Sequence, residues 1–513
     1  MTKNKRLVIN MTAQIISFVI NLGIGFFLTP YIIKNVGADA YGFVGLANNF
    51  IGYASIVTVA LNSMAGRFIT ISIHKNEQEN TNKYFTSVFV SNVIISAVMA
   101  IILFFIVVYI NKLIEVPERL IFDVKILWSL LFFNFLLGLV GNVFSVATFA
   151  MNRLDLSSLR SIESNILKCI ILVSLFTFFK ANVWYLGIST FLCGVYVVIF
   201  NIYYTKKLLP MIHIKKKYID ADKVKELIKS GIWNSINKIS GILNTGLDLL
   251  ISNIYIGANA MGIVSISKTV PTYVLSAFGM LSSVFMPQLT ISYANDKTEE
   301  IKEQLLSAIR LLAFFACIPI AGVWVFSKSF YQLWVPEQDS NLLYLLTLGS
   351  TMAFPLSLSL EPIWNIFTVT NKVKQSSIAL IVSAVVSILG TFILINFVDI
   401  LEVKMLIVVG FSTFVGIIRT ALFLPIYGAK CVNLKWNTFY PVMLKVIVST
   451  IITVALAFAI EKFAPANSWI IFIIDILCVS VVACVVNYFI MLGKKERAIL
   501  KERVAQKLKK GDK

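Results

Sequence analysis

The sequence predicts an all-α polytopic membrane protein of about fourteen helices, each near the 20 apolar residues that a bilayer crossing needs. The helices are expected in two pseudo-symmetric six-helix lobes plus two extra C-terminal helices. Composition, the spacing of apolar runs and an internal repeat lead to this reading. Of 513 residues, 58% are hydrophobic and only 14% are charged, and the mean hydropathy is +0.84. Soluble domains carry about 25% charged residues. Water-soluble enzymes, coiled coils and disordered tails are therefore excluded.

The apolar runs place spans at about 8–30, 42–66, 84–110, 126–150, 158–179, 183–205, 230–256, 261–290, 304–327, 342–370, 376–398, 404–428, 442–461 and 468–492. The first follows Lys3-Asn4-Lys5-Arg6, holds Gln14 and Asn21, and runs to Pro30 with no small-residue cleavage site. It reads as a retained span rather than a signal peptide. Pro271, Pro319 and Pro355 fall inside spans, where neighbours or a cavity must satisfy the freed backbone groups. The six cysteines show no CxxC and mostly fall in apolar runs, so they read as small buried hydrophobes rather than a disulfide framework.

Charge gives the sidedness. The N-terminus, the even-numbered loops and the tail carry about four times the Lys and Arg of the opposite set, which makes both termini cytoplasmic. The net charge of +19 follows from that asymmetry and does not imply nucleic acid. The longest internal loop holds Lys215-Lys216-Lys217 and the short amphipathic stretch Asp222–Ile228, and the tail sets Leu500, Val504 and Leu508 among basic residues. Both read as surface segments on an anionic leaflet. The external loops are too short for a folded catalytic domain.

Residues 37–44 read GADAYGFV and residues 257–264 read GANAMGIV. The same offset aligns Thr70-Ile71-Ser72 with Thr290-Ile291-Ser292, and an offset one residue shorter aligns Asn152-Arg153 and Ser157-Ser158 with Asn371-Lys372 and Ser376-Ser377. Six spans separate the copies, so both halves share one orientation, as in parallel repeats with a substrate site between lobes. The expected organisation is an N-terminal lobe over 1–205, a basic linker over 206–229, a C-terminal lobe over 230–430, two further spans over 431–492, and a basic tail over 493–513. The Gly-Ala turns let two helix ends approach closely.

The chain resembles the multidrug/oligosaccharidyl-lipid/polysaccharide exporter superfamily, and within it the Wzx-type polysaccharide flippases. The run Leu7–Gly42, with its FLTPYIIKNVGADAYG segment, and the Arg67-Phe68-Ile69-Thr70 end of the second span carry the resemblance, which extends over essentially the whole chain. It implies a bacterial cell-membrane transporter that flips a polyprenyl-diphosphate-linked oligosaccharide to the outer leaflet by alternating access. Membrane lipids are the other expected partners, with a polysaccharide polymerase or glycosyltransferases as neighbours. No cofactor, enzymatic step or nucleic acid is expected.

Polar stripes mark the candidate site. Asn10, Gln14, Ser17 and Asn21 recur along one face of the first span, and Asn234, Lys238, Gly241, Thr245 and Asp248 along one face of the seventh. The second span adds Asn48, Asn49 and Asn62, and the eighth adds Ser265, Lys268, Thr272 and Ser276. Single polar residues can be interhelical hydrogen-bonding glue; the stripes together point to an aqueous cavity. A mid-bilayer charge costs at least about 2.5–3.5 kcal/mol, so each needs a reason. Lys268, Lys238, Arg67 and Arg419 would hold the diphosphate, with Asn48, Gln14, Asn21 and Asn234 lining the cavity. Asp248 and Glu361 would bind an ion or neutralise these bases, either as an Asp248–Lys268 pair or as a cluster of Lys238, Glu361 and Arg419. Asp475 reads as peripheral. Similar lipid II flippases place basic residues on spans one, two and eight; here the second span has Asn48 at the repeat-related position and the first has no mid-depth base.

Gly241-Ile-Leu-Asn-Thr-Gly246 has the glycine spacing of a P-loop, but Leu247 and Asp248 replace its Lys and Ser/Thr. His74 and His213 sit apart in loops, so no metal site is expected. A drug/cation antiporter of the same fold is the alternative, although the first span lacks the acid such relatives often use. A glycan ligase or polymerase would need a large external loop.

Overall fold

A computed structural model describes residues 3–493 and 497, apart from 152, 246, 287–288, 290–291, 294, 296, 371 and 464. The apolar stripe of the tail and parts of the two later repeat blocks (Asn152, Thr290, Ile291 and Asn371) lie outside the described residues. Every regular element among the described residues is helical. The principal helices are α1 (Lys3–Val36), α2 (Ala38–His74), α3 (Gln78–Val108), α4 (Ile121–Gly141), α5 (Leu154–Phe178), α6 (Trp184–Leu208), α7 (Ala221–Thr245), α8 (Asp248–Tyr255) and α9 (Ala258–Ser267). They continue as α10 (Thr269–Ser283), α11 (Thr298–Trp334), α12 (Ser340–Thr351), α13 (Phe354–Val369), α14 (Val373–Ile395), α15 (Leu401–Ile418), α16 (Leu424–Cys431), α17 (Tyr440–Phe463) and α18 (Trp469–Ile490).

Among the described residues, 12 helical segments are long and apolar enough to cross a membrane. They coincide with the first six and last six expected spans. The two between, 230–256 and 261–290, are each broken, into α7 with α8 and α9 with α10. Their polar stripes and Pro271 explain the difference: α7 carries Asn234, Asn237 and Lys238, and α8, α9 and α10 have only 8, 10 and 15 residues.

Contacts divide the chain into two compact units, Met1–Ser265 and Ile266–Lys513. In the first, α2 has 37 residues, a length of about 55 Å at 1.5 Å per residue, so it projects well beyond a hydrocarbon layer of about 30 Å. Helix α7 lies along it. Gly231 is so close to the Ala60 carbonyl that an added Cβ would stand 1.9 Å from the oxygen, and Ser235 Oγ donates to the Ile56 carbonyl at 3.4 Å. Leu61, Ile69, Phe85, Val88, Ala147 and Leu227 form the core at one end of α2. Asn62 on α2 and Asn92 on α3 exchange side-chain hydrogen bonds of 3.1 and 2.9 Å, which pairs two polar groups away from lipid.

The two glycine turns of the repeat meet inside this unit. Gly37 and Gly257 have φ of 90° and 128°, a region closed to most L-residues, and α2 and α9 start directly after them. An added Cβ on Gly42 would stand 2.9 Å from Gly262 Cα, and one on Gly262 would stand 2.4 Å from the Ala38 carbonyl oxygen. The copies are therefore packed backbone against backbone. The loop after α3 fastens both: Arg119 pairs with Asp39, while Asn253 accepts from the Glu115 N–H at 2.8 Å and donates to the Glu115 carbonyl at 3.0 Å.

In the second unit α11, also 37 residues, is the central post. Leu312, Ile320, Phe354 and Leu358 join it to α13. Ala321, Phe326, Ala457 and Val479 join it to α17 and α18. A buried polar cluster reinforces the second contact: Cys317 Sγ lies 3.7 Å from Thr450 Oγ1, and Ser449 donates to Asn487.

Gly262→Ala is expected to destabilise the protein by about 1–3 kcal/mol, the usual range for overpacking, whereas Gly23→Ala, which meets open space, should be neutral or stabilising. Thermal unfolding in detergent compares the two.

Candidate functional site

The polar stripe residues of the first unit sit on two largely apolar helices, α1 and α2, and on the more polar α7. Gln14 and Asn21 on α1, Asn48 and Arg67 on α2, and Lys238 on α7 are all exposed. The side chain of Asn234 lies outside the described residues. On α7 Gly231 and Ser235 are buried against α2, leaving Lys238 beside that contact. Val57, on α2, is also exposed, at 58%, and is apolar. Asp248 differs from Lys238 and Gly241 of its stripe, which are exposed: it is buried, 7% exposed, at the start of α8, close enough to Tyr53 of α2 to act on it electrostatically.

In the second unit Lys268 occupies the break between α9 and α10. Pro271 explains the break, because it has no N–H to donate to the carbonyl of Ser267 four residues earlier. That carbonyl accepts instead from the Tyr331 hydroxyl at 3.4 Å and the Thr347 hydroxyl at 3.3 Å, and the two hydroxyls lie 2.8 Å apart. Ser267 is fully buried, so these side chains do what the helix cannot. Thr272 closes the turn by donating its hydroxyl to the Lys268 carbonyl at 2.7 Å. Lys268 itself is half-buried.

Arg419 opens a five-residue π-helix, Arg419–Phe423, a wide turn often found at functional sites. Its Nη1 donates to Ser383 Oγ at 2.8 Å. Glu361 is half-buried just before Pro362 and makes no ion pair or hydrogen bond among the described residues. The candidate residues are thus divided between the units: Gln14, Asn21, Asn48, Arg67, Lys238 and Asp248 in the first, Lys268, Glu361 and Arg419 in the second. Asp475, which reads as peripheral in the sequence, is 2% exposed on α18, with Oδ2 lacking a hydrogen-bond partner among the described residues. No periodicity announces it. Among the described residues no cluster of His, Cys, Asp and Glu could hold a metal ion.

Residues 36–338 match the model of a family described as polysaccharide biosynthesis protein. The chain is 26% identical to the uncharacterized membrane protein EpsK of Bacillus subtilis (strain 168) over 495 residues, 96% of this chain and 97% of that one. Among solved structures it is similar to the lipid II flippase MurJ in an inward closed conformation, with a TM-score of 0.65, 14% identity, and coverage of 94% of this chain and 98% of that one. It is also similar to an inward-facing multidrug resistance MATE family transporter of the MOP superfamily, with a TM-score of 0.62, 15% identity, and coverage of 82% and 97%. At such identities the likeness establishes the fold, and it is the fold class expected from the sequence.

Two outcomes follow from the geometry. In a cysteine-free background, Gln14→Cys, Asn48→Cys and Lys238→Cys should react with a water-soluble thiol reagent, and Val57→Cys should not, which separates water-facing from lipid-facing exposure. Tyr331→Phe with Thr347→Val should cost about 1–3 kcal/mol, the penalty for stripping donors from a buried acceptor. Adding Pro271→Ala should recover part of that loss in a thermal melt, because residue 271 regains its N–H.

Proposed function

The chain belongs to the polysaccharide biosynthesis protein family, and on that premise we propose that it moves a polyprenyl-diphosphate-linked oligosaccharide from the cytoplasmic to the outer leaflet of the bacterial cell membrane. The observation that carries this reading is the exposure of Gln14, Asn21 and Asn48 on the largely apolar helices α1 and α2, joined by Arg67 towards the end of α2 and Lys238 on the more polar α7. Polar groups at membrane depth stay exposed at tolerable cost only where they meet water or a polar substrate. A lipid-linked sugar needs such a path for its head group, while its polyprenyl tail stays in lipid.

The residue chemistry divides accordingly. Arg67, Lys238, Lys268 and Arg419 supply the charge-assisted hydrogen bonds that a diphosphate requires on leaving water. Asn48, Gln14, Asn21 and Asn234 both donate and accept, which suits sugar hydroxyls. Asp248 and Glu361 lower the net positive charge or take up a coupling cation. The broken helices α7 to α10 supply hinges for alternating access, in keeping with the discontinuous helices at transporter sites. The likeness to both MurJ and a MATE transporter supports a moving fold; the family match favours a saccharide cargo over a drug.

In vesicles holding a fluorescent lipid-linked oligosaccharide, Lys268→Ala should abolish transfer between leaflets at normal protein abundance, and Lys268→Arg should keep part of it. Full transfer by Lys268→Ala would remove Lys268 from the site. Export of cationic drugs with no transfer of the lipid-linked sugar would support the antiporter reading instead.

A further inference from the structure

A groove of about 580 Å³ runs between α3 and the first turns of α7, within the range of roughly 300–1,000 Å³ typical of ligand pockets. One wall is Ser87, Val90, Ser91 and Ile94 of α3 and the other is Val224, Lys225, Ile228 and Lys229 of α7. Both sets recur at helical spacing, so each helix turns a whole stripe toward the other. The lining is mostly apolar, with Val90, Ile94, Val224 and Ile228, and its two lysines, Lys225 and Lys229, are one helical turn apart on α7.

The walls are fixed by contacts around the groove and, at Ser87, in its wall. Tyr84 donates to Glu226 Oε2 at 2.8 Å, and Lys223 lies 3.3 Å from the Tyr84 hydroxyl and 4.7 Å from its ring centroid. Ser87 Oγ accepts from the Asp220 N–H at 2.9 Å, and Asn82 accepts from the His213 N–H at 2.8 Å. These bonds latch the linker to the start of α3. Lys223 is held by Tyr84 and Glu226, and its hydrogen bond to the tyrosine raises its pKa above the usual lysine value. Lys225 and Lys229 differ: neither makes an ion pair among the described residues, and the Ser91 hydroxyl between the walls has no partner there either.

We infer that this groove holds one anionic phospholipid of the surrounding leaflet, its acyl chain along Val90, Ile94, Val224 and Ile228 and its phosphate on Lys225, Lys229 and the Ser91 hydroxyl. Charge complementarity selects this occupant. A free phosphate would gain nothing from the apolar lining, and a zwitterionic lipid gains less from two ammonium groups. The groove also adjoins Lys215-Lys216-Lys217 in a linker rich in basic residues, and basic clusters beside membrane helices attract anionic lipid head groups. The lipid would brace the start of α7, with Lys229 about 14 Å along the helix from Lys238, without entering the proposed transport site.

The test is native mass spectrometry of the full chain from vesicles of equal phosphatidylglycerol and phosphatidylcholine. The wild type should retain phosphatidylglycerol preferentially, and Lys225→Gln with Lys229→Gln should reduce that preference by at least roughly five-fold, the scale of one basic residue near a membrane surface. Ile94→Trp, which fills the groove without changing charge, should reduce it as well. Lys215→Gln with Lys216→Gln and Lys217→Gln, which lie outside the groove lining, should reduce it by a smaller factor, and a loss as large as that of the Lys225/Lys229 variant overturns the inference. Equal retention of the two lipids, or undiminished phosphatidylglycerol in the Lys225/Lys229 variant, overturns the inference. Displacement by equimolar polyprenyl phosphate also overturns it, in favour of a carrier-lipid site. Size-exclusion profiles establish that each variant is folded, and the readout does not depend on transport activity.

Discussion

Two glycines decide how the first unit is put together. Where Gly42 of α2 meets Gly262 of α9, main chains touch with no side chain between them, so the helices cross at the shortest approach available. Close crossings of this kind suit a membrane, where burial of apolar surface gains little over lipid and packing must do more of the work. The positive-φ residues Gly37 and Gly257 turn the chain immediately before each helix and aim both toward that crossing. Asp39 with Arg119, and Asn253 with the Glu115 backbone, then hold the turns in place.

A second constraint is that buried backbone polar groups must be satisfied without water. It explains why the polar chemistry gathers at broken helices. Pro271 interrupts the helix, Tyr331 and Thr347 take over the exposed carbonyl, and Lys268 is left at the corner rather than in a regular turn. The same logic holds for Asn62 and Asn92, which satisfy each other across two helices, and for the hydroxyl, thiol and amide cluster that joins Cys317, Ser449, Thr450 and Asn487. Two kinds of polar residue can therefore be distinguished, those that close their bonds internally and those that remain exposed on a helix, while Asp475 Oδ2, buried with no partner among the described residues, belongs to neither.

Long apolar runs made most of the fold legible, since α2, α3, α11, α17 and α18 appear where hydropathy places them. The repeat was legible because glycine is needed at the same turn in both copies, whatever else diverges. Breaks were harder to see. A window over 261–290 averages the apolar residues on either side of Lys268 and hides the corner that Pro271 makes. The polar stripes include Gln14, Asn21, Asn48 and Lys238, which are exposed, but also Ser17, Asn49 and Asn62, which are half-buried, and they do not show that Asp248 turns inward against α2. Arg419 bonding to Ser383 and the burial of Asp475 depend likewise on residues distant in sequence, which periodicity along one helix cannot reveal.

The repeat is symmetric in shape and asymmetric in its fastening. The first turn is held through Asp39 by an ion pair whose arginine side chain is 73% exposed, and such a pair weakens as dissolved salt screens it. The second is held by Asn253, which is fully buried and uses neutral hydrogen bonds that salt barely touches. Asparagine suits that place because its amide sets an N–H donor beside a carbonyl acceptor, the complement of a peptide group. Ionic strength thus loads the two copies unequally, giving the pair a loose end and a fixed end.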